Sequence, residues 1–195
     1  MLTLPPLSNQ HINTLYVKHK LFDDEQITNI LKDTKIELWR NAEAVDPNTG
    51  QSVKSKDRVC QGQAVSNNFP LNNLLHVITQ MNSQYWRFNI NHVDLVRDYP
   101  SVYKYGVDGH FDWHVDMSTA ISTRKLGFTI QLSNSEDYEG GDLQFFDGSK
   151  TRKEPELKEK GTLIVFPSFV WHRVLPITKG TRYAIVGWIH GNHFK

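Results

Sequence analysis

The stretch Lys104–Asp116, KYGVDGHFDWHVD, combines the pattern of short strands with a cluster of groups that can bind a metal ion. Its last eight residues, GHFDWHVD, contain two His and two Asp. Residues two apart on a strand point to the same face, so His114 and Asp116 can present an imidazole and a carboxylate to one interior point. His110 and Asp112 share the same parity, and the cluster alone does not decide which pair is used.

Short alternating or apolar runs, separated by Gly, Pro and Asp, continue from Asn91 onward. They are HVDLVRDY, KYGVDGHFDWHVD, LGFTIQL, DLQFF, GTLIVF, WHRVLPI and RYAIVGWI. About eight short strands without a helical pattern between them are typical of an antiparallel barrel or a double-sheet jelly roll. The charged segment KTRKEPELKEK (150–160) is expected to be a solvated loop.

The first third of the chain contains the helical patterns. FDDEQITNILKDT offers Asp23 as an N-cap with Gln26 three residues later, and PLNNLLHVITQMNSQYWRF begins a second helix after Pro70. Between the two helices we expect a strand, a long polar loop from about residue 41 to 56, and a second strand over 59–65. A loop of that length in a compact domain can close over a substrate. The apolar positions of the second helix follow spacings of three, four and seven: Leu71, Leu74, Leu75, Ile78 and Tyr85. The expected fold class is therefore mainly β with N-terminal helices, a double-stranded β-helix (jelly roll).

Composition and charge narrow the possible partners. Net charge is +1, with 22 Lys+Arg and 21 Asp+Glu, which removes the usual electrostatic argument for binding nucleic acid or an anionic membrane. Cys60 is the only cysteine, so an intrachain disulfide and a Cys-rich zinc site are excluded. The opening residues MLTLPPLSNQ lack the features of a signal peptide, and no apolar run approaches the roughly 20 residues needed to cross a bilayer. We therefore expect a cytoplasmic protein without a membrane or nucleic-acid partner.

A third metal ligand can come from His172, in the stretch FPSFVWHRVLPITKGTRY. A single His in an apolar strand is more often a core residue satisfied by a backbone carbonyl. However, Arg182 lies ten residues further on and opens another apolar strand, RYAIVGWI. If the strands on either side of the Pro176–Gly180 turn are antiparallel neighbours, Arg182 can enter the same barrel. A buried arginine there is costly unless an anion pairs with it.

Two His and one carboxylate occupy one face of a metal and leave about three positions open, which suits Fe(II) oxygen chemistry. A guanidinium placed deeper can hold the far carboxylate of an α-keto diacid through paired hydrogen bonds. The same three ligands also suit a zinc-bound hydroxide in a hydrolase, although that function gives no reason for Arg182. A non-catalytic jelly-roll binding module with structural histidines is the alternative from a different class.

The sequence resembles the Fe(II)/2-oxoglutarate-dependent dioxygenases, specifically the prolyl 4-hydroxylase-like family. The resemblance rests on HVD (114–116), YEGGDLQFF and FPSFVWHRVLPITKGTRYAIVGW, and it covers roughly residues 99 to 191. It implies that His114, Asp116 and His172 bind iron and that Arg182 binds the distal carboxylate of 2-oxoglutarate. It also implies Fe(2+), 2-oxoglutarate and O2 as cofactor and cosubstrates, and allows L-ascorbate as an additional cofactor.

The resemblance assigns further residues to the cosubstrate. Tyr105, nine residues before His114, matches a tyrosine that contacts the same distal carboxylate, although it can instead be a packed aromatic. Gln131 falls where some relatives carry a tyrosine, and Phe111 replaces a tyrosine common in the family. The expected catalytic residues are His114, Asp116, His172 and Arg182, and the expected cofactor-binding residues are Tyr105, Thr129, Gln131, Arg182 and Trp188. Trp188 can equally be a structural core residue.

The activity implied is that of a 2-oxoglutarate-dependent dioxygenase, a procollagen-proline 4-dioxygenase-like hydroxylase. We expect it to hydroxylate a C–H bond of a peptidyl proline and to release succinate and CO2, with a peptide or protein as substrate. Hydroxylation of a small molecule or a nucleobase by the same chemistry is the alternative within the superfamily. Residues 1–195 are expected to form one such domain, with helical and hairpin support and a substrate loop in 1–90 and the catalytic jelly-roll core in 91–195.

Overall fold

The computed structural model describes residues 14–46, 48–91, 98–149, 151–152 and 154–193. The opening stretch MLTLPPLSNQ and most of the strand expected in HVDLVRDY lie outside the described residues. Neither helix within these ranges has the length and apolar character that crossing a membrane requires.

The described residues form two α-helices and sixteen strands. The helices are α1 (Asp24–Lys32) and α2 (Leu71–Tyr85). In chain order the strands are β1 (Val17–Lys20), β2 (Arg40–Asn41), β3 (Ala44–Val45), β4 (Ser52–Val53), β5 (Arg58–Val59), β6 (Gln61–Ala64), β7 (Ser101–Tyr105), β8 (His110–His114), β9 (Arg124–Gln131), β10 (Tyr138–Gly140), β11 (Leu143–Phe146), β12 (Thr151–Arg152), β13 (Thr162–Pro167), β14 (His172–Val174), β15 (Ile177–Gly180) and β16 (Arg182–His190). Ten strands, β7 to β16, thus follow residue 100, against about eight expected. KYGVDGHFDWHVD divides into β7 and β8, WHRVLPI divides into β14 and β15, and β10 and β12 are short additional strands, whereas most of HVDLVRDY lies outside the described residues.

Both helices form where the sequence predicts them. The Asp23 side chain accepts a hydrogen bond from the Gln26 backbone, and the Gln26 side chain returns one to the Asp23 backbone, so the expected capping box begins α1. Along α2, Leu74 and Ile78 are fully buried. Tyr85, the last residue of α2, is 43% exposed instead of joining this apolar face.

Two sheets make up the body of the fold, and they confirm the jelly-roll prediction. The larger sheet has the order β1-β13-β9-β16-β7-β6-β2, and the smaller sheet has the order β12-β11-β14-β8-β5. One core cluster joins the larger sheet to the helices, where Leu126 and Ile130 of β9 meet Leu74 and Ile78. A second cluster includes Phe145 of the smaller sheet and Ile164, Phe166 and Tyr105 of the larger one. Strand β9 is buried along its whole length because both of its faces are covered.

The strands on either side of the 176–180 turn are not antiparallel neighbours, so the condition considered for Arg182 in the sequence is not met. Strand β14 pairs with β8 and β11 in the smaller sheet, whereas β16 pairs with β7 and β9 in the larger one. Between them β15 pairs with β10, in a separate two-stranded sheet. Arg182 nevertheless reaches the neighbourhood of His172, because the facing sheets bring the two residues to the same cavity.

The polar segment 41–56 contains a short hairpin that the sequence did not predict. Strands β3 and β4 pair through Ala44 and Val53, and the Asp46 carboxylate closes the turn by accepting hydrogen bonds from the backbone of Asn48 and Thr49. Its role as a substrate lid stays a prediction. In the charged segment 150–160, a 3₁₀ turn spans Pro155–Lys158 and buries Leu157.

A buried ion-pair network connects the region before β7 to the start of β9 and the end of β16. Arg124 donates from Nε and from one terminal nitrogen to the two oxygens of Asp98, at 2.8 and 2.6 Å. His190 Nε2 lies 2.9 Å from the same carboxylate. Burial by itself would raise the pKa of Asp98, but the hydrogen bonds from His190 and Arg124 outweigh it and lower the pKa to about 2.

We predict that Asp98→Asn destabilises the protein at neutral pH by about 2 kcal/mol, since each unit of pKa difference corresponds to about 1.4 kcal/mol. A carboxyl group with a lowered pKa stabilises the fold above its unfolded pKa, and that contribution is lost as the pH falls from about 4 towards 2. The difference in the free energy of unfolding between wild type and variant should therefore shrink between pH 5 and about pH 2. Urea unfolding at several pH values measures it, and Glu25→Gln, at an exposed site on α1, is the control. A pH-independent difference would contradict this account of Asp98.

Candidate active site

The three side chains expected to bind a metal converge at one point. His114 ends β8 and His172 begins β14, and the two residues are direct partners across these paired strands. Asp116 follows β8, and its backbone N–H donates to the carbonyl of Ser168. Nε2 of His114 lies 3.7 Å from one Asp116 carboxylate oxygen, and Nε2 of His172 lies 3.7 Å from the other. One ligand atom from each residue lies within 4.8 Å of the other two.

A β-bulge in β8 sets the direction of His114. His172 pairs with His114 while Val174 pairs with Phe111, so two residues of β8 oppose one residue of β14 between these positions. The bulge breaks the simple alternation of side chains. Phe111 and His114 consequently lie on the same side, with their rings stacked at a centroid distance of 3.5 Å.

The alternative pair, His110 and Asp112, does not join this cluster. The His110 ring nitrogens lie within hydrogen-bonding distance of the carbonyls of Asp108 and Lys56, and the Asp112 side chain is exposed. The two His-x-Asp pairs are offset by an even number of positions, but they do not lie on one face.

Backbone carbonyls fix the tautomer of both histidines in the cluster. Nδ1 of His114 lies 2.7 Å from the Asp112 carbonyl, and Nδ1 of His172 lies 3.0 Å from the Val170 carbonyl. Since a carbonyl can only accept, each Nδ1 carries the hydrogen and each Nε2 presents a lone pair towards Asp116. Burial, assisted by the neighbouring His172, lowers the pKa of His114 to about 3. His114 is therefore neutral near pH 7, as a metal ligand must be.

Arg182 places a buried positive charge in the same cavity. The residue is 2% exposed at the start of β16, and its Nε donates to the side-chain oxygen of Gln131 at 3.2 Å. Its guanidinium carbon lies 5.2 Å from the centre of the Tyr105 ring. Within the part of the chain that the structure describes, Arg182 forms no ion pair with a carboxylate. A buried guanidinium without a counter-ion is unfavourable, so this position suits a bound anion.

Three further polar groups that line the cavity or contact Arg182 are buried and have no hydrogen-bond partner among the described residues. They are the Thr129 hydroxyl and the Gln131 amide nitrogen, both on β9, and the indole N–H of Trp188 on β16. Burial raises the pKa of the Tyr105 phenol, so its hydroxyl stays protonated and able to donate. The donors of Thr129, Gln131 and Tyr105 fit the carboxylate oxygens of a dicarboxylate held by Arg182, and two imidazoles with one carboxylate fit Fe(II).

The structure places all but one of the expected site residues around a single cavity between the sheets. Those that line it are Tyr105, His114, Asp116, Thr129, His172, Arg182 and Trp188. Gln131 joins through its contact with Arg182. The guanidinium carbon of Arg124 also lies 3.8 Å from the centre of the Trp188 ring. Most of the remaining wall is apolar and consists of Phe111, Phe128, Leu143, Phe166, Val174 and Val186.

Arg58 is a cavity residue that the sequence did not reveal. It comes from β5, which pairs with β8 through Arg58 and Phe111. Its guanidinium lies 4.6 Å from the Tyr103 ring centre and 4.8 Å from that of Phe111. No local spacing marks this residue, because the contact depends on pairing between strands more than 50 residues apart.

Gly127 is a second position that the sequence analysis did not single out. A Cβ atom at Gly127 would lie 2.5 Å from a carboxylate oxygen of Asp116 and 2.7 Å from the Phe166 ring. A glycine inside a strand often marks a close approach of this kind, and that was the available signal. The absent side chain at 127 lets the Asp116 carboxylate take its position.

Residues 100–190 match the sequence model of the 2OG-Fe(II) oxygenase superfamily. A PKHD-type hydroxylase of Synechococcus sp. strain CC9605 is 40% identical over 80 residues, which cover 40% of this chain and 36% of the relative. A PKHD-type hydroxylase of Idiomarina loihiensis is 34% identical over 90 residues, which cover 46% of this chain and 40% of the relative. The matched region thus spans well under half the length of these relatives.

Solved structures share the fold over almost the whole chain. A Pseudomonas putida prolyl-4-hydroxylase superposes with a TM-score of 0.67 at 16% identity, covering 92% of this chain and 94% of that one. A Trichoplax adhaerens prolyl hydroxylase, in complex with a hypoxia inducible factor oxygen degradation domain peptide fragment, gives a TM-score of 0.74 at 18% identity and covers 94% of this chain and 86% of that one. At these identities the likeness establishes the fold.

The fold is a jelly roll shared with these solved structures, and residues 100–190, which carry the His–Asp–His cluster, match the 2OG-Fe(II) oxygenase superfamily model. The resemblance stated from the sequence is confirmed by the superfamily match and the PKHD-type relatives, and the prolyl hydroxylase structures share the fold.

We predict that Gly127→Ala weakens metal binding by about 10- to 100-fold, the range typical of changes that displace a metal ligand indirectly. The added methyl group must push the Asp116 carboxylate or the Phe166 ring away. Titration with Mn(II), followed by the EPR signal of the free ion, measures the dissociation constant. Gly106→Ala is the matched control, because its Cβ would meet no atom within 4 Å. Equal affinities in the two variants would show that the Asp116–Gly127 contact does not matter.

Proposed function

We propose that this protein is an Fe(II)- and 2-oxoglutarate-dependent hydroxylase acting on a peptidyl proline. The observation that carries the proposal is a buried Arg182 without a carboxylate partner among the described residues, in the same cavity as the His–Asp–His cluster. Fe(II) with 2-oxoglutarate and O2 would supply C–H hydroxylation coupled to oxidative decarboxylation, giving the hydroxylated substrate, succinate and CO2. A zinc hydrolase would leave the buried positive charge of Arg182 without a function.

The side chains divide the work between the two ends of the cavity. His114, Asp116 and His172 hold the metal, and the carbonyls behind the two imidazoles keep both rings oriented. Arg182 binds the far carboxylate of the cosubstrate, and Gln131 orients the guanidinium through the hydrogen bond to its Nε. Thr129 and Tyr105 are placed to donate hydroxyl hydrogens to the same anion. Trp188 and the apolar wall keep water out of the cavity.

A peptide substrate is supported by the space outside the metal cluster. A groove of about 420 Å³ opens beside His114 and Asp116, and Ala44 and Val45 of the 41–56 hairpin form part of its wall. The curated relatives are named PKHD-type hydroxylases, and the Trichoplax adhaerens structure holds a peptide fragment. In this proposal residues 1–195 act as one domain, in which the N-terminal hairpin covers the substrate.

We predict that Arg182→Ala raises the dissociation constant of 2-oxoglutarate at least about 10-fold, because a hydrogen-bonded charge pair contributes about 1.5–3 kcal/mol. Metal uptake should be unchanged, since Arg182 contacts none of the three metal-binding side chains. Anaerobic titration of the Fe(II) protein with 2-oxoglutarate, followed by the charge-transfer absorption band, gives the constant. Arg40→Ala, at an exposed arginine of β2, is the control. Unaltered 2-oxoglutarate affinity in Arg182→Ala would refute the assignment of this anion site.

We predict that proline-containing peptides stimulate conversion of 2-oxoglutarate to succinate when Fe(II), O2 and L-ascorbate are supplied. Mass spectrometry should show one added oxygen atom on a prolyl residue. His172→Ala should make no succinate, because the third metal ligand is lost. If a free metabolite stimulates succinate formation and no proline-containing peptide does, the substrate proposed here is wrong.

A further inference from the structure

We propose that three aromatic side chains beside the candidate active site form a docking platform for the polypeptide substrate. The aromatic platform consists of Trp113, Phe146 and Trp171. It binds an apolar residue that flanks the target residue in an extended chain, and it binds proline most tightly. This inference rests on the proposed function, since it assumes that the substrate is a polypeptide.

The platform is unusual for its exposure. Trp171 is 50% exposed and Phe146 is 39% exposed, while Trp113 is half-buried. The rings of Trp113 and Phe146 meet edge to face at a centroid distance of 6.2 Å. Trp171 is held beside them, because its carbonyl accepts a hydrogen bond from the Phe146 backbone. Single exposed apolar residues are common on protein surfaces, but a cluster of large aromatic side chains marks a contact surface.

The platform is continuous with the groove that reaches the metal cluster. Trp113 directly precedes His114, and Trp171 directly precedes His172. Both tryptophans line the groove shared with His114 and Asp116, and both also line the open cavity formed with Phe146 and Thr151. An extended peptide advances only about 3.1–3.3 Å per residue. A chain with its target residue at the metal cluster therefore reaches the platform within a few residues.

The Trp113 ring of the platform is held by a neighbouring side chain. The Arg173 guanidinium lies 4.6 Å from the Trp113 ring centre, and its Nε donates to the Gln144 side chain at 2.9 Å. Fixed aromatic faces bind polyproline-type segments well, because neither partner loses much conformational entropy.

Charge favours a peptide over a nucleic acid on this surface. Among the described residues, the side chains that line the open cavity are uncharged: Trp113, Phe146, Thr151 and Trp171. Single-stranded nucleic acid bound by base stacking needs basic side chains along its backbone, and the nearest described one, Arg173, already donates to Gln144 and packs on Trp113. An uncharged, apolar peptide segment matches the lining directly.

The test measures peptide binding separately from turnover. Wild type, Trp171→Ala and Phe146→Ala are loaded with Mn(II) and 2-oxoglutarate without oxygen and titrated with a ten-residue oligoproline by calorimetry. We expect the dissociation constant to rise about 10-fold in each variant, a loss typical of one stacked aromatic contact. Tyr85→Ala removes a similarly exposed aromatic from α2 and should bind like wild type. A peptide with one proline flanked by Gly and Ser should bind wild type more weakly and should respond less to Trp171→Ala.

The outcomes separate the platform from the activity. If both platform variants bind oligoproline as tightly as wild type, the aromatic platform does not bind the peptide and the inference is wrong, even when the peptide is hydroxylated. If wild type binds oligoproline through the platform but forms no succinate with any peptide, the three aromatic residues bind polypeptide as inferred and the proposed function fails. Binding of an oligothymidine that is lost in Trp171→Ala, with no binding of oligoproline, would overturn the peptide assignment in favour of nucleobase stacking.

Discussion

The pairing of β8 with β14 is the constraint on which the candidate site depends. It sets His114 directly opposite His172, and the bulge between that pair and the Phe111–Val174 pair turns His114 towards Asp116. The backbone also orients the two imidazole rings, because Nδ1 of His114 lies within hydrogen-bonding distance of the Asp112 carbonyl and Nδ1 of His172 of the Val170 carbonyl. Two ordinary features of a sheet, register and free carbonyls, thus define both the positions and the protonation of the nitrogen ligands. A change of one residue in this register would separate the imidazoles.

The second constraint is the depth of Arg182 between the two sheets. The folded chain accepts a buried guanidinium whose described polar contact is the Gln131 side chain. Such an arrangement lowers the stability of the protein alone and increases its affinity for an anion. The distance from the metal cluster to this positive charge then limits the length of the ligand. A ligand that bridges both needs metal-binding oxygen atoms at one end and a carboxylate at the other, which is the chemistry of 2-oxoglutarate.

Much of this site could be predicted from the sequence, and the failures have a common cause. His114, Asp116, His172 and Arg182 stand out because polar or charged residues interrupt apolar strand patterns, which is a local signal. Pairing of β14 with β16 was considered because only a short turn separates them, and it does not occur because β15 lies between them and pairs with a third strand, β10. Arg58 and the contact of Gly127 with Asp116 depend on distant pairings that leave little local trace. The chemistry was therefore visible in the residue types, while the long-range register was not.

Some residues around the candidate site lie outside the region that matches the superfamily model, and these residues bear on substrate specificity. The superfamily match covers residues 100–190, which include the His–Asp–His cluster and Arg182. Strands β5 and β6 come from before that region, yet they pair with β8 and β7 and extend both sheets. Through β5, Arg58 lines the cavity, and through β3 the hairpin forms part of the groove wall. The matched region thus supplies the His–Asp–His cluster, Arg182 and most of the groove wall, whereas the strands before it add Arg58 and the hairpin residues. Substrate specificity on this basis depends on both groups of residues, because the groove wall is built from the matched region and from the strands before it.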